Sequence, residues 1–249
     1  MKIITLILIW VMLITISSTF QTNDFLDTGD KNVEIDLSTE VNTELVTEVT
    51  DEKEENIPAV ETVFNNSYVT NRSKAYMVTC PEFTFEYSDH WKVSKEELQT
   101  EYEWDVLENE RGVEINYYES NYGFPTYDGG GYTLRCAKIT KVADAAFKPG
   151  YVQARDFSSL GNFVVVKLEE YAQMDGLSGE ENGVDGIVVY AVVPESYLGE
   201  VSFKGAGFWG VLAWDYPSPR VMLVTSPDGS FTYEEEQEII HILSTFRET

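Results

Sequence analysis

Apolar and polar side chains alternate along Phe83-Thr84-Phe85-Glu86-Tyr87, which predicts a strand with one buried face and one wetted face. Ser88-Asp89-His90 supplies turn chemistry, and Trp91 then folds back as a structural anchor, so this stretch builds one edge of a sheet core. A hairpin follows from Tyr102–Glu108 through Asn109-Glu110-Arg111-Gly112 to Val113–Tyr117, with Val113, Ile115 and Tyr117 on a shared face. Leu134–Val142 reads as a further strand. The β-rich apolar runs Phe163–Tyr171 and Ile187–Val193 belong in the middle of the sheet. Trp209–Trp214 and Val221–Thr225 flank Asp215-Tyr216-Pro217-Ser218-Pro219, which predicts a last hairpin with a stiff tip.

At the end of the chain the period changes from two to that of a helix. Thr232 and Glu235 form a capping-box pattern, and Ile239, Leu243 and Phe246, with Ile242 beside them, make an apolar stripe. A helix over Tyr233–Thr245 lays that stripe on the sheet, and Glu234, Glu235 and Glu236 suit its N-terminal dipole. The predicted class is therefore α+β: a mainly antiparallel sheet packed by a C-terminal helix, over residues 63–249.

The first 62 residues are of a different kind. Lys2 precedes the fourteen-residue apolar run Ile3–Ile16, which is followed by Ser17, Ser18 and Thr19. This order predicts export, and the run is short for the ~20 residues of a bilayer span. Phe20 stands where a small residue would favour cleavage, so residues 1–20 are read as a signal peptide or an N-terminal membrane anchor. Residues 21–62 are rich in Thr, Glu, Asp and Val, without sustained periodicity, and read as an acidic disordered linker.

Charge narrows the partners. The net charge is -26; residues 21–62 carry thirteen Asp or Glu against two Lys, the first twenty residues carry +1, and -16 remains for residues 63–249. Without a Lys/Arg cluster the chain lacks the footprint for nucleic acid, and its surface repels anionic lipid. Membrane contact is expected only through the N-terminal segment. Cys80 and Cys136 are read either as a disulfide closing a long loop or as two small buried hydrophobes.

The aromatic strand ending in a turn and Trp (FTFEYSDHW), several antiparallel strands and a closing helix ending in Leu243-Ser244-Thr245-Phe246-Arg247 together resemble the Mog1/PsbP-like fold over about residues 76–247. The resemblance implies an α+β fold and an accessory or binding role. It carries over no catalytic residue.

Chemistry is sparse. His90 and His241 are the only histidines; there is no G-x-S-x-G elbow, no C-x-x-C and no short paired Cys/His spacing of a zinc site. A glycoside hydrolase needs two carboxyl groups ~5–10 Å apart across an aromatic cleft. Tyr117, Tyr118, Tyr122, Tyr127 and Tyr132 supply aromatics, but no pair among the thirty acids of residues 63–249 stands out. The Gly-rich loop after Met174 offers Asp175, Glu180, Glu181 and Asp185 as hard oxygen ligands for Ca2+, or else is a solvated acidic loop. Asn121–Tyr132 (NYGFPTYDGGGY) combines aromatics with glycines, a recognition-loop composition in which Tyr122, Phe124, Tyr127 and Tyr132 are the candidate partner-binding residues; local packing of the same rings is the other reading.

The resulting expectation is a non-enzymatic binding or accessory module of the cell envelope. It lies outside the cell or anchored to the outer face of the cytoplasmic membrane, binds a protein or envelope component, and carries no cofactor unless the acidic loop takes calcium. A calcium-dependent adhesion or ligand-binding module and a carboxylate-based glycoside hydrolase are the alternatives.

Overall fold

The computed structural model describes residues 62–72, 81–121, 133–152, 155–175, 178, 180–182, 186–204, 207–215 and 218–249, with the backbone alone for 151, 152, 155, 181 and 182. The candidate residues Cys80, Tyr122, Phe124, Tyr127, Tyr132 and Asp185, and the side chain of Glu181, lie outside this description.

The strands, in chain order, are β1 (Asn66–Val69), β2 (Phe83–Tyr87), β3 (Lys92–Leu98), β4 (Tyr102–Glu108), β5 (Glu114–Ser120), β6 (Thr133–Asp144), β7 (Tyr151–Val152), β8 (Arg155–Asp156), β9 (Phe163–Asp175), β10 (Glu181–Asn182), β11 (Val188–Pro194), β12 (Gly199–Phe203), β13 (Arg220–Thr225) and β14 (Arg247–Glu248). Among the described residues two α-helices accompany them, α1 (Phe208–Leu212) and α2 (Tyr233–Ser244). The large sheet runs β12-β6-β9-β11-β13-β5-β4-β3, with β10 appended to β9; the small sheet runs β1-β2-β14, and β7 and β8 form a ribbon. Every described pairing is antiparallel.

The strand period sorts the core into two layers. Tyr190 and Val192 of β11 and Met222 and Val224 of β13 enter one cluster, while Val189, Ala191 and Val193, and Val221 and Leu223, enter the other. Both faces of the central strands are therefore covered, which is why β9, β11 and β13 read as apolar runs rather than alternating strands. The first cluster lies under the small sheet and α2, where Phe83 stacks on Phe246 (4.9 Å between ring centroids) and meets Phe147 edge-on (5.4 Å). The second takes Leu212 of α1 and Phe203 of β12.

The expected α+β class is overturned: the molecule is mainly antiparallel β-sheet with only a small helical part. The capping box does form, Thr232 Oγ1 accepting from Glu235 N and Glu235 Oε2 accepting from Thr232 N, and Ile239, Ile242 and Leu243 are buried. But α2 shares its layer with β1, β2 and β14, so a second sheet does much of the covering assigned to the helix. β2 is the middle strand of that small sheet rather than an edge. The last predicted hairpin is also corrected. Phe208–Leu212 is helical, and only the isolated bridge between Trp214 and Arg220 closes the turn before β13. Gly229, at φ +74 and with a built Cβ 3.2 Å from Ile187 Cα, is a position where a side chain would meet backbone.

Candidate functional site

Sheet register places charged residues in rows at one end of the first layer. Glu103 on β4 is opposite Glu119 on β5, and Glu119 is opposite Arg220 on β13; one row further in, Asp105 is opposite Tyr117. Arg72, just beyond β1, reaches the same place. Glu103, Glu119, Arg72 and Arg220 are fully buried and Asp105 is 2% exposed.

The chemistry centres on Glu119. Its Oε1 accepts from Arg220 Nη2 at 2.8 Å and lies 3.3 Å from Arg72 Nε, and its Oε2 accepts from the Tyr117 hydroxyl at 2.9 Å. Arg220 Nη1 also donates to Asp215 and, at 3.3 Å, to the Ser218 carbonyl, and the guanidinium lies 5.5 Å from the Phe157 ring centre. Burial by itself would depress the Arg220 guanidinium, but Glu119, Tyr117 and Asp215 outweigh it and hold it above its ordinary value. Burial and the Glu119 charge push the Tyr117 hydroxyl well up, so it stays a donor.

With both oxygens engaged, Glu119 is built to hold rather than to react. What it holds together is the chain just after β1, the end of β5 and the start of β13, through Arg72, Glu119 and Arg220. Backbone bonds tie the same ends together: Ser120 N to Pro219 O at 3.1 Å, Asn121 N to Glu101 O at 3.0 Å, and Trp214 and Arg220 to each other twice at 2.9 Å. Asp215 adopts φ 65, a left-handed conformation that Asp tolerates better than most residues and that the Arg220 contact secures.

Beside Glu119, Glu103 Oε1 accepts from Asn71 N at 2.5 Å, and Asp105 lies two residues on along the same face of β4. The Tyr68 hydroxyl reaches Asp105 and lies 3.2 Å from Glu96 Oε1. Five of these residues (Arg72, Glu103, Asp105, Glu119 and Arg220) escape sequence reading. Glu119 carried a signal, since it continues the Ile115, Tyr117 face by one more step of two. Glu103 and Asp105 carried a misleading one, because Tyr102, Trp104 and Val106 between them claim the buried face by polarity.

The residues nominated from sequence lie elsewhere. Asp175 Oδ1 accepts from Ser178 N at 3.0 Å and its N–H donates to Glu180 O at 2.8 Å, so this acid caps its own turn between β9 and β10, and Glu180 is exposed. Among the described residues no group of three or more His, Cys, Asp or Glu converges as a metal site. Cys136 is buried in β6 with Sγ 3.4 Å from Ser202 Oγ. His90 Nδ1 lies 3.3 Å from Glu238 Oε2 at the surface, and His241 stacks on Phe64 at 3.7 Å. A cavity of about 380 Å³ opens at the opposite end of β13, lined by Ile187, Val188, Phe208 and the turn Thr225–Gly229, away from the ion network.

No family model matches the chain, and comparison with curated proteins and with solved structures likewise gives no match.

Proposed function

We propose that the chain is a non-enzymatic binding or accessory module of the cell envelope that recognises a protein partner at the sheet end carrying the ion network. The observation that supports this reading most is the convergence of Arg72, Glu119, Asp215 and Arg220. One buried network ties together the chain after β1, the end of β5 and the start of β13, which makes this end of the sheet a rigid scaffold. Binding residues are typically carried on connecting segments set on a rigid scaffold.

Composition agrees with a binding role. Tyr122, Phe124, Tyr127 and Tyr132 give segment 122–132 large amphipathic rings, and the -16 charge of residues 63–249 favours a neutral or basic partner surface. The apolar N-terminal run supplies export, and the acidic residues 21–62 supply reach. An accessory role of this kind is also what the Mog1/PsbP-like signatures imply.

The test is cross-linking capture of the full-length tagged protein from intact cells, beside a variant with Tyr122, Phe124 and Tyr127 changed to Ser. One recurring envelope protein, lost in the variant while the fold is kept, is the expected result. Capture unchanged by the substitutions, or no recurring protein with either form, overturns the proposal.

A further inference from the structure

We propose that Glu103 and Asp105 together hold a single proton at neutral pH, and that this shared proton locks Asn71 against the start of β4 until alkaline pH removes it. The inference concerns the fold itself and stands whether or not this end of the sheet binds a partner.

Geometry carries the first step. The two acids are two residues apart on β4, share a face and are buried, with Glu103 Oε2 and Asp105 Oδ2 each enclosed and without a hydrogen-bond partner among the described residues. As two anions these neighbouring enclosed carboxylates repel each other, and only a proton on the pair turns one of them into a donor. Register adds a second constraint. Glu103 is directly opposite Glu119, and like charges facing each other across a ladder are unfavourable even at a surface. The nearest cation contacts go to Glu119 instead: Arg220 is shared by Glu119 and Asp215, and Arg72 Nε lies 3.3 Å from Glu119.

The remaining groups around the pair leave the assignment intact. Tyr68 approaches from β1 and Glu96 from β3; Tyr117 and Glu119 face it from β5, Arg220 from β13, and the Asn71 N–H and Arg72 from the segment after β1. Burial, then the hydrogen bond to Asp105 and the Asp105 charge, push the Glu103 carboxyl up to about 9, only partly offset by the Asn71 N–H. Burial also raises Asp105, while hydrogen bonds from Glu103 and Tyr68 pull it down. Both carboxyls are raised, so the folded pair keeps one proton between them.

Linkage fixes the sign of the effect. In the unfolded chain both acids ionise in the ordinary carboxylate range, whereas the folded chain retains one proton up to about pH 9. Stability from this site is complete below the ordinary carboxylate range, declines as pH rises, and levels off above about 9. Above that point the folded protein holds two adjacent buried anions beside Glu119.

Infrared difference spectra of the full-length protein, in light and heavy water, read the proton directly. The expected result is a protonated-carboxyl C=O band at neutral pH that is lost on alkaline titration and is missing from Glu103→Gln. Denaturation midpoints of the wild type should fall between about pH 6 and 9, and at least twofold less steeply in Glu103→Gln. Asp105→Asn serves if Glu103→Gln does not fold. It should retain a Glu103 band that is lost at lower pH, because the neighbouring charge is gone. No band at neutral pH in the wild type, or a band and slope unchanged in the variants, overturns the proposal.

Discussion

Arg220 and Arg111 each gather two carboxylates, and the two clusters differ mainly in where they lie. Arg220 meets Glu119 and Asp215 with its own side chain and that of Glu119 fully buried. Arg111, on the β4–β5 turn, grips Glu235 with two bonds (Nε at 2.8 Å, Nη2 at 2.7 Å) and Asp228 at 3.1 Å, but it is 35% exposed and Asp228 is 59% exposed. The surface cluster has the better fork geometry. Even so, the buried one governs more of the structure, because no water replaces a partner that is removed. An ion pair's cost of disruption follows burial more than bond length.

The largest expected effect breaks the buried member. Glu119→Ala leaves two buried guanidinium groups facing each other without their shared acceptor, and we expect a loss of about 3–5 kcal/mol in unfolding free energy. Urea denaturation of the full-length protein measures it. A loss below about 1 kcal/mol would show that water already reaches the network, and the contrast with Arg111 would collapse.

Arg111→Ala is the matched surface experiment. Here water rehydrates Glu235 and Asp228, so the loss should be about 1 kcal/mol or less. About half of that loss should disappear in roughly 1 M salt, where exposed charges are screened, whereas the Glu119→Ala loss should barely move. Equal salt sensitivity in both variants would mean that burial is not what separates the two clusters.

Legibility from sequence divides along a similar line. A shared apolar face placed the β4–β5 hairpin, β-rich apolar runs placed the central strands β9 and β11, and Thr232 with Glu235 placed the start of α2, because these signals are local. The class was misjudged because the capping box says that a helix exists, not how much of a layer it fills; β1 and β14, two short strands with little pattern of their own, complete that layer. Phe208–Leu212 was read as strand since a short apolar run is the same in either period. The ion network was the least legible. Arg72, Glu103, Glu119 and Arg220 lie far apart in the chain, each resembles a surface residue, and only register brings them together.

The smallest predicted effect separates the clusters by pH. Asp228 is held down to about 2, first by the Ser230 N–H and hydroxyl and then by Arg111 and Ser226. Burial raises Glu235, but Arg111, the Thr232 N–H and Asn109 together pull it below its ordinary value. A depressed carboxyl contributes stability above its unfolded value and loses it as pH falls toward the folded one. The thermal gap between wild type and Arg111→Ala should therefore be full at neutral pH and close as the pH approaches about 2. The Glu103–Asp105 pair works in the opposite sense, weakening the fold as pH rises. Wild-type stability should thus peak in mildly acid solution, with the Arg111 cluster shaping the acid side of the peak and the buried acids the alkaline side. A gap that persists unchanged into strong acid would mean that Arg111 acts through packing on the turn and not through charge.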